Sequence, residues 1–283
     1  VPQKRPMSLF YRFASRGAII PFLKLVSRQR VTGVERFPAD GGFIAVANHL
    51  SNIDALTAMR ALVDADIPAY SLAKASLFKI PVVGRVLRAG GQIPVERGTA
   101  SASDALREAE RILADGGVIM IFPEGTLSRD PLKWPMVGKT GAARLAMRTG
   151  VPVVPMAQWG GQDIMDTCTD AFHPFPPKPV TVRVGELLDL SRFGSDTDDH
   201  DAVRACTAEI MRAITAELEV IRGERAPRPF DPHYDIDHGP GAYGERLPDP
   251  DPAQEASPGE AARSESGADD APGGRSESEG AGQ

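Results

Sequence analysis

The sequence predicts an α/β fold: a single domain with a largely parallel or mixed central sheet flanked by helices. An amphipathic N-terminal helical segment precedes it and a disordered acidic tail follows. Three observations point there. Short apolar runs alternate with stretches of helical period between about Thr32 and Arg225, the order expected of strands and helices sharing one sheet. The first 34 of the 283 residues carry seven basic side chains and no acid. The net charge of −6 conceals a division, because residues 231–283 hold 13 acids against three Arg while the remainder is net basic. The boundaries drawn on this basis are 1–30 for the basic segment, 31–225 for the domain and 226–283 for the tail.

In the first segment Lys4, Arg5, Arg12, Arg16, Lys24, Arg28 and Arg30 are interleaved with Leu9, Phe10, Tyr11, Phe13, Ile19, Ile20, Phe22, Leu23, Leu25 and Val26. That composition suits a helix lying in the headgroup layer of an anionic membrane, or a helix packed on a core with its basic face solvated. Phe43–Ala47 reads as a strand and Asp54–Val63 as a helix. Gln92–Glu96 is a strand, and Ser103 is the expected cap of a helix that ends at Asp115-Gly116-Gly117. Val118–Phe122 is a continuous apolar run, as in a strand covered on both faces. A helix follows near Thr140–Arg148, stopped by Gly150; Val151–Pro155 and Val180–Gly185 are strands; Asp201–Arg222 is the last helix. From Ala226 onward Pro, Gly, Ser and acids dominate, leaving too little apolar surface to offset the entropy of ordering.

Composition also excludes. Two cysteines, Cys168 and Cys206, rule out a disulfide scaffold and four-thiolate zinc sites, and suit a reduced, cytosolic setting. No apolar run approaches the ~20 residues of a membrane-spanning helix, and no secretory cleavage pattern is present. Gly138-Lys139-Thr140 looks like the end of a phosphate-binding loop, but Lys133 stands where that loop needs glycine. Lys139 is then either a neighbour of an anionic substrate or an ordinary helix-start residue. The G-x-G-x-x-G string at Gly239–Gly244 follows no strand, and the Asp/His run at 231–238 lacks a rigid frame for a metal. No nucleic-acid module accompanies the basic arm.

Open α/β sheets place ligands beyond the carboxyl ends of their strands. Strand Phe43–Ala47 runs into Asn48-His49-Leu50-Ser51-Asn52-Ile53-Asp54, so an imidazole sits at a strand end with a carboxylate five residues on. A tight turn can bring Asp54 to one ring nitrogen of His49, leaving the other free to take a proton from a hydroxyl. Equally, Asp54 can be a first-turn helix residue and His49 a core histidine. Strand Val118–Phe122 ends in Pro123-Glu124-Gly125-Thr126-Leu127-Ser128-Arg129; between the two lies Ile93-Pro94-Val95-Glu96-Arg97, and downstream Val151-Pro152-Val153-Val154-Pro155.

These ordered blocks, N-H-x4-D, I-P-V-x-R, F-P-E-G-T and V-P-V-V-P, resemble the four motifs of the glycerolipid acyltransferase family over about residues 30–225, the nearest likeness being to bacterial enzymes that make phosphatidic acid. The resemblance implies transfer of a fatty acyl group from acyl-CoA or acyl-carrier protein to the sn-2 hydroxyl of lysophosphatidic acid, with no cofactor or metal. It implies His49 as general base and Asp54 as its orienter. Arg97 would bind the acceptor phosphate with help from Lys74, and Glu124, Gly125 and Thr126 would shape the acceptor site. Family members commonly carry Arg where this chain has Leu127; Arg129, two residues on, is the candidate substitute. No G-x-S-x-G elbow suggests an acyl-serine intermediate. The expected setting is peripheral, on the cytoplasmic face of the cell membrane, with an anionic membrane surface as partner and no nucleic acid. The same chemistry on another lysolipid or acylated glycolipid, a thioester hydrolase, and a non-catalytic lipid-binding protein remain open alternatives.

Overall fold

Residues 7–96 and 101–232 are described by the computed structural model, and seven strands among them form one mixed sheet. In chain order the elements are α1 (Leu9–Arg12), α2 (Ile20–Val26), β1 (Ser27–Thr32), β2 (Phe43–Ala47), α3 (Asp54–Asp64), β3 (Ala69–Lys74) and α4 (Pro81–Ala89). They continue with β4 (Ile93–Val95), α5 (Ser101–Ala114), β5 (Val118–Ile121), α6 (Gly141–Thr149), β6 (Val153–Trp159), β7 (Lys178–Val184) and α7 (His200–Arg222). The sheet order is β1-β7-β6-β2-β5-β3-β4. All neighbours run parallel except β6 and β7, so β2, β5, β6, β3 and β4 present their carboxyl ends along one edge.

Strand periodicity sorts the apolar side chains onto two faces. Ile44 and Val46 of β2, Ile119 and Ile121 of β5 and Val153 of β6 pack with Ala109, Leu145, Val203 and Ile210 from α5, α6 and α7. Phe43, Ala45, Ala47, Val118, Met120 and Val154 point the other way, onto Leu23 of α2 and Ala58, Ala61 and Leu62 of α3. Burial on both faces is why β2 and β5 read as unbroken apolar runs rather than alternating ones.

The N-terminal segment is helical from Leu9 to Val26, with a π-helical stretch over Phe13–Ile19 that gives way to α2 at Ile20, next to Pro21, whose missing N–H leaves a carbonyl of the preceding turn without its usual donor. Its inner side is fixed to the domain. The Tyr11 hydroxyl donates to the Ala69 carbonyl at 3.0 Å and accepts from the Ala69 N–H at 3.2 Å, and burial pushes this phenol up to about 12. Arg16 reaches the Val63 carbonyl and the Asp66 carboxylate. Its outer side exposes Leu9, Phe10, Phe13, Phe22 and Leu25.

Several boundaries differ from the sequence-based expectation. Residues 27–32 are not part of the N-terminal helix but form edge strand β1, whose Arg28 and Arg30 are solvated, a feature that discourages edge-to-edge pairing. Strand β3 and helix α4 were not predicted. Ser71, in the middle of β3, is a buried polar residue satisfied by Gln92 Oε1, which accepts from its N–H at 2.8 Å and its hydroxyl at 2.6 Å. Helix α5 begins at Ser101, which places Ser103 inside the first turn rather than at the cap. The strand predicted as Val151–Pro155 runs instead from Val153 to Trp159. Packing also continues past 225: Phe230 is buried, and its carbonyl accepts from the Val137 N–H at 3.0 Å. Lys4, Arg5, Arg97 and the tail from residue 233 lie outside the described residues.

Candidate active site

Strand β2 ends at Ala47, and the chain turns through residues 48–53 into α3, whose first residue is Asp54. This turn brings His49 Nδ1 to 3.4 Å from Asp54 Oδ2. The same oxygen accepts from the N–H groups of Leu50 at 2.5 Å and Ser51 at 2.7 Å. Three donors thus meet on one oxygen of a buried carboxylate at a helix N-terminus. With the carboxylate accepting, Nδ1 carries the ring hydrogen and Nε2 is left bare. The His49 side chain keeps 15% of its surface accessible, against 2% for Asp54, so the imidazole alone of the pair meets solvent.

The F-P-E-G-T loop encloses the other side of this ring. Phe122, which follows β5, stacks on His49 with centroids 4.3 Å apart. Glu124 Oε1 accepts the His49 N–H at 2.9 Å, and the Ser128 N–H donates to the His49 carbonyl at 2.7 Å. Glu124 Oε2 accepts from the Met136 N–H at 3.1 Å, so this carboxyl ties together three segments of chain. Burial pushes it up to about 8, while the Met136 and His49 N–H groups pull the other way. Glu124 thus faces backbone rather than an open acceptor site.

Gly125 adopts φ +69° and lies under the side chain of Lys139; a Cβ there would stand 2.9 Å from Lys139 Cδ and 3.3 Å from Nζ. The left-handed φ favours glycine, whereas the neighbour above it is the flexible end of the Lys139 side chain. Lys139 is therefore seated on the F-P-E-G-T turn, with its own N–H donating to the Pro123 carbonyl at 2.8 Å. Thr126 is half-buried and Arg129 exposed, its N–H directed at Met136 Sδ at 3.1 Å. Lys74 is the exposed last residue of β3, at the same edge of the sheet as His49. The structure thus brings His49, Asp54, Glu124, Gly125 and Lys139 into one cluster, with Lys74 on the rim.

Two further supports were not read from the sequence. Asn48 and Gln158 extend the pairing of β2 and β6 through side chains. Asn48 Nδ2 donates to the Gln158 carbonyl at 2.9 Å, the Gln158 N–H to Asn48 Oδ1 at 2.8 Å, and Gln158 Nε2 to the Asn48 carbonyl at 3.2 Å. Thr57 Oγ1 completes the network on Gln158 Oε1 at 2.7 Å. The available signal was polar residues embedded in apolar strands, which remain buried only when fully bonded.

The second is Gly161, just past β6, where a Cβ would lie 2.4 Å from Asp54 Oδ1. The backbone there forms a wall against the carboxylate, so Gly161→Ala must displace it. The expected result is a turnover about 10–100-fold lower, with the KM for the acyl donor little changed, since small misplacements of a catalytic pair carry costs of that order. A lowered melting temperature with wild-type kcat would instead reduce Gly161 to a packing residue.

Comparison with known proteins adds an independent view. Residues 28–159 match a family model described as Acyltransferase. A chloroplast 1-acyl-sn-glycerol-3-phosphate acyltransferase of Brassica napus is 34% identical over 157 residues, covering 55% of this chain and 43% of the relative. The alpha form from Mus musculus is 29% identical over 196 residues, covering 67% of this chain and 66% of the relative. The chain thus spans less than two thirds of the length of either. The crystal structure of the LPA acyltransferase PlsC from Thermotoga maritima superposes with a TM-score of 0.56 at 25% identity, over 75% of this chain and 78% of that one.

Proposed function

We propose, for a chain that belongs to the glycerolipid acyltransferase family, that its reaction moves a fatty acyl group from acyl-CoA or acyl-carrier protein to the sn-2 hydroxyl of lysophosphatidic acid, giving phosphatidic acid. The observation that carries this reading is the His49–Asp54 pair at a strand end, with Nδ1 3.4 Å from the buried carboxylate and 15% of the imidazole side chain accessible. Nε2 takes the hydroxyl proton as the acceptor oxygen attacks the thioester carbonyl carbon. Asp54 stabilises the imidazolium that forms. Collapse of the tetrahedral intermediate breaks the C–S bond, and the imidazolium returns its proton to the departing thiolate. Atoms and charge balance with no covalent enzyme intermediate.

In this reading Arg97, Lys74 and Arg129 attract the acceptor phosphate, with Lys139 a further cation beside Gly125 in a chain that has Leu127 where the family resemblance implies Arg. Thr126 lines the acceptor side, while Glu124 acts by fixing the backbone of His49 and Met136. The acceptor is a lipid, and an anionic membrane surface is its source. The outward Leu9, Phe10, Phe13, Phe22 and Leu25 of the N-terminal helix, together with its cations, suit such a surface. Peripheral attachment on the cytoplasmic face is part of the same proposal; among the described residues no helix is long and apolar enough to cross a membrane.

The test is product analysis with labelled acyl-CoA. Lysophosphatidate should yield labelled phosphatidate and one equivalent of CoA, faster than lysophosphatidylcholine or monoacylglycerol yields its own product. CoA release without phosphatidate would overturn the assignment in favour of hydrolysis or a different acceptor.

A further inference from the structure

From Ile67 to Val95 the chain contains no Asp or Glu but carries Lys74, Lys79, Arg85 and Arg88. Within this stretch Leu77, Ile80, Val83 and Val86 recur at every third position, and each is 39–46% exposed. Large aliphatics exposed so regularly, in one short unit, differ from the isolated apolar residues ordinary on a protein surface. Lys74, Lys79 and Arg85 form no ion pair among the described residues.

The unit is built to hold its shape. A 3₁₀ turn over Ala75–Lys79 leads through Ile80 into α4, and the two pack so closely that a Cβ at Gly84 would stand 2.1 Å from the Phe78 carbonyl oxygen. Arg88 Nη1 closes the unit by donating to that carbonyl at 2.9 Å. Its position follows from topology. Lys74 is the carboxyl end of β3, which runs parallel to β5 and hence to β2, so the turn leaves the sheet at the edge where His49 stands.

We infer that the 3₁₀ turn and α4 form a second membrane contact, distinct from the N-terminal helix, which takes an anionic lipid surface. Aliphatics on a rigid amphipathic unit bury at the headgroup boundary while neighbouring cations meet lipid phosphates, and the lack of any acid over the whole stretch complements a negative leaflet. A protein partner is the poorer match, since interface cores favour aromatics and are depleted in lysine. The inference rests on the proposed lipid acceptor for its purpose: a contact at the sheet edge where His49 stands holds that edge to the leaflet.

The experiment measures sedimentation of the full chain with vesicles of phosphatidylcholine and phosphatidylglycerol in equal parts, and with phosphatidylcholine alone. Lys79→Gln/Arg85→Gln should weaken binding to the mixed vesicles roughly 10–30-fold and leave binding to the neutral ones unchanged. Ile80→Ser/Val83→Ser/Val86→Ser should weaken both by at least about tenfold. Both variants should keep wild-type turnover on a short-chain, water-soluble lysophosphatidate, which shows that they fold. Undiminished binding of both to the mixed vesicles would overturn the inference. So would loss of rate with acyl-carrier protein as donor but not with acyl-CoA, which would assign the surface to the carrier. Absence of wild-type turnover on the soluble acceptor would instead count against the proposed reaction, and the vesicle result would stand by itself.

Discussion

His49→Ala is expected to lower turnover by ~10²–10⁴-fold, the usual worth of a positioned general base, while the protein remains folded. The structure explains why the two effects separate. What His49 contributes to the fold is mainly backbone: its N–H goes to Glu124 and its carbonyl accepts from Ser128, and alanine keeps both. The side chain itself contributes a stack on Phe122 and one 3.4 Å contact to Asp54. Rates of CoA release, read beside the melting curve, check this. A variant with wild-type rate would remove His49 from the chemistry; a variant that fails to fold would show that the backbone bonds depend on the ring.

Asp54→Asn should be nearly as damaging, for a different reason. An asparagine carbonyl can still accept from Leu50 and Ser51, so most of the loop is preserved, and the expected loss of stability is only about 1–2 kcal/mol from weaker acceptors. The same carbonyl still accepts from His49 Nδ1, and the amide NH₂ takes the place of Oδ1 against Gly161, so the hydrogen stays on Nδ1 while the negative charge beside the ring is lost. The imidazolium that forms as the hydroxyl is deprotonated then has no carboxylate to stabilise it, and turnover should fall by ~10²–10³-fold, the order of losing one electrostatic stabiliser of the transition state. The check is kcat together with the ring tautomer followed by ¹⁵N NMR of the imidazole. Retained activity would show that the carboxylate is only a helix-start residue.

How far the sequence exposed this arrangement varied with how local the determinants were. The runs at β2 and β5 and the motifs at their ends were legible because burial on both faces leaves a continuous apolar string, and the chemistry-bearing residues come directly after it. The His49–Asp54 turn is local as well, spanning five residues. By contrast β1 carries charge at an edge, and β3 has a buried serine satisfied only by Gln92, 21 residues away. Helix α4 displays its aliphatics outward, against the inward pattern on which periodicity depends. Lys139 was ambiguous for a related reason: its seat on Gly125 is a contact between segments 14 residues apart. The role of Glu124 was likewise hidden, because its partners His49 and Met136 are remote backbone groups, and the motif alone suggested a residue facing substrate.

At the centre stands the activation of an alcohol by the bare imidazole nitrogen. The most direct test compares CoA release from acyl-CoA in the presence of lysophosphatidate and of its 2-deoxy analogue, which has the same phosphate and chain but no hydroxyl at that carbon. With the hydroxylated lipid, release should be rapid and matched one-for-one by phosphatidate; with the deoxy lipid it should fall to the level of His49→Ala. Equal rates with both lipids would mean that water, not the lipid hydroxyl, is the nucleophile, and would contradict the account.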